Sequence, residues 1–211
     1  RNVAIGHSAL ASLNVDGSNY NVAVGFEAGK AITTGVRNTI IGGKAGDALT
    51  SGEHNVALGY GALSTEDAHG KNIAIGYESL VHQNAGADAY NVAIGYQAGH
   101  DVTTGIANTV IGALAGDAIT TGVSNVFVGM DAGGGLTTGE SNVAVGKDAL
   151  LSSVDGDHNT AIGFKALEDY EDGNGNGHNT AVGSSSQLNA TTGEFNTSLG
   201  SLSIGSGVLT G

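Results

Sequence analysis

The sequence predicts an all-β chain: one elongated parallel β-solenoid, or β-roll, of about 12 coils with a 17-residue period, spanning residues 1–211 as a single repeat domain. Three observations lead there. An Asn four residues before a Gly recurs at Asn2, Asn21, Asn38, Asn55, Asn72, Asn91, Asn108, Asn125, Asn142, Asn159, Asn179 and Asn196. Eight of the eleven steps between these Asn are 17 residues, two are 19 and one is 20. Between each Asn and its Gly, β-branched and aliphatic residues alternate with small ones, the pattern of a short strand. A fixed short period of this kind marks a structure in which each copy is one coil stacked on the last.

Composition narrows the class. There are 37 Gly but no Pro, Cys or Trp, and no Gly-X-Y triplet runs through the chain, which excludes collagen. With 40% hydrophobic residues at fixed places in the repeat, disorder is excluded too. A formal net charge of −13 speaks against nucleic acid or an anionic membrane surface as partner. No apolar run approaches membrane-spanning length, so no membrane insertion is expected. The chain opens on Arg1, without an initiator Met or signal peptide, and reads as a fragment of a longer fibre.

Counting each Asn as position zero, position one is Val, Ile or Thr throughout, from Val3 to Thr197, and position three is Ile, Val or Leu, from Ile5 to Leu199. These two are expected to face into the coil. Position two is Ala in eight copies and Ile40, Val110, Phe127 or Ser198 in the others. A column of small apolar residues on a supposed solvent face points to close approach by another chain, so the Ala column is read as the interface of a homo-oligomer, with three copies favoured. Position four is Gly from Gly6 to Gly200, a corner needing positive φ or a place with no room for a Cβ.

The second half of each coil comes in two styles. Gly at position eight goes with an aliphatic at position eleven, as in Gly46 with Leu49, Gly99 with Val102 and Gly133 with Leu136. Leu at position eight usually goes with a polar residue there, as in Leu63 with Glu66, Leu80 with Gln83 and Leu150 with Ser153, while Leu10 with Leu13 breaks the exchange. Either side chain is expected to fill one core volume. Thr-Thr-Gly or Thr-Ser-Gly closes the Gly-style coils as a turn. Extra residues fall only in this half, at 14–20, 83–90 and 168–178.

No catalytic, cofactor-binding or metal residue is assigned, and the chain is not expected to be an enzyme. The Asn column can form a ladder of stacked amides or make only local turn bonds. Asp169, Glu171, Asp172, Asn174 and Asn176 gather oxygen ligands on a Gly-rich loop over 169–177. Such a loop suits Ca²⁺, although its spacing departs from the alternating Asp pattern, and a solvated acidic loop is the simpler reading. His7, His54, His69, His82, His100, His158 and His178 are read as scattered structural residues, too far apart in copy number for a metal cluster. Phe26, Tyr60, Tyr77, Tyr96 and Phe164 share position five, where a row of rings can stack on sugars or cover a corner. Thr103-Thr104 and Thr120-Thr121 raise an ice-binding reading, weakened because these pairs abut a turn Gly.

Asn91-Val-Ala-Ile-Gly-Tyr-Gln-Ala-Gly99, closing at Thr103-Thr-Gly105, and Asn159-Thr-Ala-Ile-Gly-Phe-Lys-Ala-Leu167 resemble the N-T-A-[IVL]-G-x-x-A-L…T-T-G repeats of bacteriophage tail fibres and related bacterial surface proteins. The A-I-G core is also similar to the head repeat of trimeric autotransporter adhesins. The resemblance implies a parallel β-roll, usually trimeric, serving as shaft or adhesive head on a virion or bacterial surface. A cell-surface glycan or protein receptor is then an expected partner. A self-stacking extracellular filament is the rival within that class; an ice-binding or Ca²⁺-dependent glycan-binding solenoid are rivals outside it.

Overall fold

The computed structural model describes residues 1–14, 19–170 and 176–204. Among the described residues, twelve strands of three residues, from β1 (Val3–Ile5) to β12 (Thr197–Leu199), form one parallel sheet in sequential order. Each strand occupies positions one to three of its copy and pairs without slip. Between β6 (Val92–Ile94) and β7 (Thr109–Ile111), for example, Val92 faces Thr109, Ala93 faces Val110 and Ile94 faces Ile111. This is the expected β-solenoid. At about 4.8 Å per coil the stack is roughly 55 Å long.

The inter-coil ladder does not stop at the strands. The Gly99 amide donates to the Ala115 carbonyl (3.0 Å), that of Asp101 to Asp117 (2.9 Å) and that of Thr103 to Thr120 (2.9 Å). Most of each coil therefore stacks backbone on backbone, which explains the corner glycine. Gly95 has φ +147°, and a Cβ on it would stand 2.3 Å from the Gly112 carbonyl oxygen. Only a residue without a side chain lets successive corners approach so closely.

Other bends use ordinary residues in the left-handed region. Glu78 and Gln97 at position six, Leu80 and Leu150 at position eight, and Lys71, His158 and His178 just before the repeat Asn all have φ between 49° and 63°. That conformation costs an L-residue about 1–2 kcal/mol. Its recurrence in coil after coil shows that the stacked ladder on both sides imposes it.

The strand faces are the reverse of the sequence expectation. Position two points inward: Ala23, Ile40, Ala57, Ala74, Ala93, Val110, Phe127, Ala144, Ala161 and Ala181 are buried. Positions one and three are half-buried or exposed in every strand. The Ala column is therefore the core wall and not the surface on which another chain docks. The cause is the thinness of the coil. Position two shares one narrow interior with the small residue at position seven, such as Ala28 or Ala98, and with whatever fills positions eight and eleven. A wall of Ala leaves that space open for one larger side chain.

The expected exchange between positions eight and eleven is present in eight coils, whereas coil ten departs from it, with Leu167 and Tyr170 both buried. Ile32, Leu49, Val102, Ile119 and Leu136 are buried beside a glycine, while Leu63, Leu80 and Leu150 are buried beside Glu66, Gln83 and Ser153. Position two joins the same exchange. Ile40, Val110 and Phe127, the large residues of that column, each belong to a coil with Gly at position eight, and a Cβ on Gly46 or Gly116 would crowd Ile40 or Val110. In the one polar case, Ser198 meets buried Ser186 and accepts from Gln187 Nε2 (3.0 Å).

Candidate functional site

Three features bear on function: the buried Asn column that sets the coil spacing, the outward aliphatic face of the sheet, and a group of His, Asp and aromatic side chains on coils four to six.

The Asn column is the ladder form of the two arrangements the sequence allowed. In all eleven steps the Asn Oδ1 accepts the backbone N–H of the next Asn, at 2.8–3.1 Å. The Nδ2 closes its own coil by donating to the carbonyl fourteen residues on, as Asn108 does to Gly122 (2.8 Å) and Asn142 to Gly156 (2.7 Å). Asn72 and Asn159 open coils of 19 and 20 residues, and their Nδ2 atoms have no hydrogen-bond partner among the described residues. Added residues displace the carbonyl that would have accepted. Amides spent in this way are a spine and carry no reaction.

The outward face bears Val, Ile or Thr at position one and Ile, Val or Leu at position three in all twelve copies, with no charged residue in either column. Val3, Ile5, Leu58, Ile73, Val126, Ile162 and Leu199 are each at least 36% exposed. A stripe of aliphatic residues and Thr running through all twelve coils exceeds the scattered apolar exposure normal for a soluble surface.

On coils four to six, Tyr60, Tyr77 and Tyr96 stack in a row, with ring centroids 5.7 and 5.4 Å apart and planes within 14°. The rings are exposed, yet Tyr77 has a ring on each side, so both of its faces are turned towards neighbouring tyrosines. The adjacent Glu78 carboxylate holds the Tyr77 phenol above its ordinary pKa. Glu78 also accepts from Gln97 Nε2 (3.0 Å).

The histidines are closer than their place in the sequence implies. His82 and His100, on consecutive coils, have ring centroids 4.8 Å apart in an edge-to-face arrangement. Asp101 Oδ1 lies 2.6 Å from His100 Nδ1 and 3.3 Å from His82 Nδ1. The reading that the histidines lie too far apart in copy number for a metal cluster is corrected for this pair: stacking of coils brings residues 18 apart into contact. His158, His178 and Phe195 stack likewise at the corner before the Asn, at 4.7 and 4.9 Å, in the structural role expected for that position.

A second grouping joins Glu66, Asp67 and His69. Glu66 is fully buried, and its Oε1 accepts the His69 amide (3.2 Å) while Oε2 has no hydrogen-bond partner among the described residues. The suggested Ca²⁺ loop falls mostly at 171–175, outside the described residues. Of its oxygens, the Asn176 carbonyl accepts from Tyr170 Oη (3.1 Å).

The first Thr of the closing pairs is engaged as well. The hydroxyls of Thr103, Thr120 and Thr137 donate to the carbonyls of Thr120, Thr137 and Val154 in the next coil at 3.0–3.1 Å. Among the described residues no helix is long and apolar enough to cross a membrane. No protein-family profile, curated protein or solved structure matches the chain.

Proposed function

We propose that this chain is a structural and adhesive segment of an extracellular fibre, of the bacteriophage tail-fibre or trimeric-adhesin kind that its repeats resemble, and that it works as a homotrimer. The observation that carries the reading is the outward stripe of positions one and three, apolar or Thr and free of charge through twelve coils. A second copy, with the same coil spacing, matches that stripe along its whole length. Cyclic association of copies is the usual way a soluble chain covers such a face; the resemblance sets the number at three.

A solenoid braced by an Asn ladder and a ladder of backbone hydrogen bonds is a stiff rod. In a fibre it holds a receptor-binding element away from the particle or cell, or presents its own loops to a surface glycan or protein. The ice-binding reading is disfavoured because the first hydroxyls of the pairs opening at Thr33, Thr103, Thr120 and Thr137 are committed to carbonyls.

Sedimentation velocity of the purified chain tests the reading. An elongated trimer is expected, converting to monomer when Ile94→Glu and Ile111→Glu place charges on the stripe. A clean monomer of the unsubstituted chain at high micromolar concentration, or a trimer that persists with both substitutions in place, overturns it.

A further inference from the structure

We propose that His82, His100 and Asp101 form a binding site for a divalent transition-metal ion of the Zn²⁺ class, which pins coil five to coil six. The inference is independent of the fibre reading, since it rests on a different face and on a single pair of coils.

The donor set comes first. Two imidazole nitrogens and one carboxylate oxygen are the ligands of open three-residue sites for Zn²⁺ and related metals; Ca²⁺ and Mg²⁺ take oxygen instead. The three donor atoms lie within 4.8 Å of one another. The 3.3 Å between His82 Nδ1 and Asp101 Oδ1 equals the separation of two ligands about 2.0–2.1 Å from a tetrahedral ion. The shorter 2.6 Å contact of His100 Nδ1 with Asp101 is a hydrogen bond that the metal replaces when the ring takes the tautomer with its proton on Nε2, facing Glu78, and Nδ1 offers its lone pair to the ion.

Backbone and surroundings hold the set in place. The Asp101 amide is tied to Asp117 in the next coil and the Leu80 amide, two residues before His82, to Ala98 (3.2 Å), so both coils are fixed where the ligands leave them. The far nitrogen of His100, Nε2, lies 3.8 Å from Glu78 Oε2, itself braced by Gln97. A carboxylate behind the second nitrogen of a ligating His orients the ring and raises its basicity. His82 and Asp101 are about half exposed, which gives an ion access and leaves one coordination position open to water or an external ligand. The Glu66, Asp67 and His69 grouping is the weaker candidate, having one nitrogen and a carboxylate already bonded to its own turn.

The test is titration of tag-free, chelator-treated full chain with Zn²⁺ by calorimetry, and with Co²⁺ by visible absorption. One ion per chain is expected, with the intense absorption of a four-coordinate Co²⁺ centre and a rise in melting temperature on adding Zn²⁺. His82→Ala and His100→Ala each lower affinity at least tenfold and abolish the thermal shift; Glu78→Gln lowers affinity roughly tenfold, as loss of an outer carboxylate does. His158→Ala, on another corner, leaves binding unchanged. Absence of uptake by the wild-type chain, or undiminished binding in the His82→Ala/His100→Ala double variant with its strand content intact, overturns the proposal.

Discussion

Gly133 lies against the face of Phe127, so close that a Cβ on it would stand 2.4 Å from the ring. The two occupy one volume of the eighth coil, which also holds Leu136. Gly133→Ala should therefore destabilise the chain by about 1–3 kcal/mol, the cost of overpacking. The backbone adds the left-handed cost of about 1–2 kcal/mol. Leu63 and Leu150 bear that cost at the matching position, so the position is open to a side chain once Phe127 and Leu136 make room. The triple change Phe127→Ala, Gly133→Leu, Leu136→Ser rewrites coil eight in the style of coil nine and should recover most of the loss in thermal melts. If Gly133→Ala alone melts like the wild type, the shared volume is not there.

The Asn ladder makes a second prediction. Asn108 Oδ1 accepts both the backbone N–H of Asn125 (3.0 Å) and its Nδ2 (3.1 Å), while Asn108 Nδ2 donates to Gly122 (2.8 Å). Asn108→Ala strands a buried donor and a buried acceptor, each costing about 1–3 kcal/mol. Asn2→Ala, at an exposed position, should cost less. Chemical denaturation of the two variants compares them directly; equal midpoints would mean that the ladder contributes little in the middle of the stack.

Burial holds the Glu66 carboxyl above its ordinary value, against the opposing pull of the backbone amides of His69 and Ala85 and of the His69 ring. A raised carboxyl pKa means that the folded state keeps its proton where the unfolded chain has lost it. Stability is then greatest below pH 4.5 as far as this group is concerned, and falls as pH rises from there to the folded value. Glu66→Gln should remove that decline and melt at a higher temperature at pH 7. The equivalent Gln83 in the next coil shows how an amide is accommodated, accepting from Asn91 Nδ2 (2.6 Å) and donating to Thr103 (3.2 Å). A wild-type melting temperature that climbs between pH 4.5 and 7, with no difference from Glu66→Gln, would contradict the assignment.

The period, strand position, parallel stacking and exchange of positions eight and eleven were all legible, because each repeats many times and each repetition constrains the others. Which strand face is inside was misread, since β-branched bulk at Val92 and Ile94 outweighed the small Ala93 on hydrophobicity alone. The corrective signal lies in the sequence: Ile40, Val110 and Phe127 each come with a glycine six residues later, as residues sharing one volume must. The meeting of His82 with His100 was hidden for another reason. They occupy different positions of their copies, and the longer fifth coil obscures their alignment, which only the stacked backbone resolves.

That reversal of faces is open to a direct test on neighbouring residues of β6. Ala93→Glu buries a charge with no partner in a slim apolar interior and should prevent folding or cost several kcal/mol. Ile94→Glu puts the same charge on the outer face, where a surface change usually alters the stability of a single chain by no more than about 0.5 kcal/mol. Circular dichroism melts at low protein concentration, where association is weak, should therefore show collapse for the first and near-identity with wild type for the second. The opposite order would return the aliphatic residues to the interior and the Ala column to the surface. It would also remove the stripe on which association of copies depends.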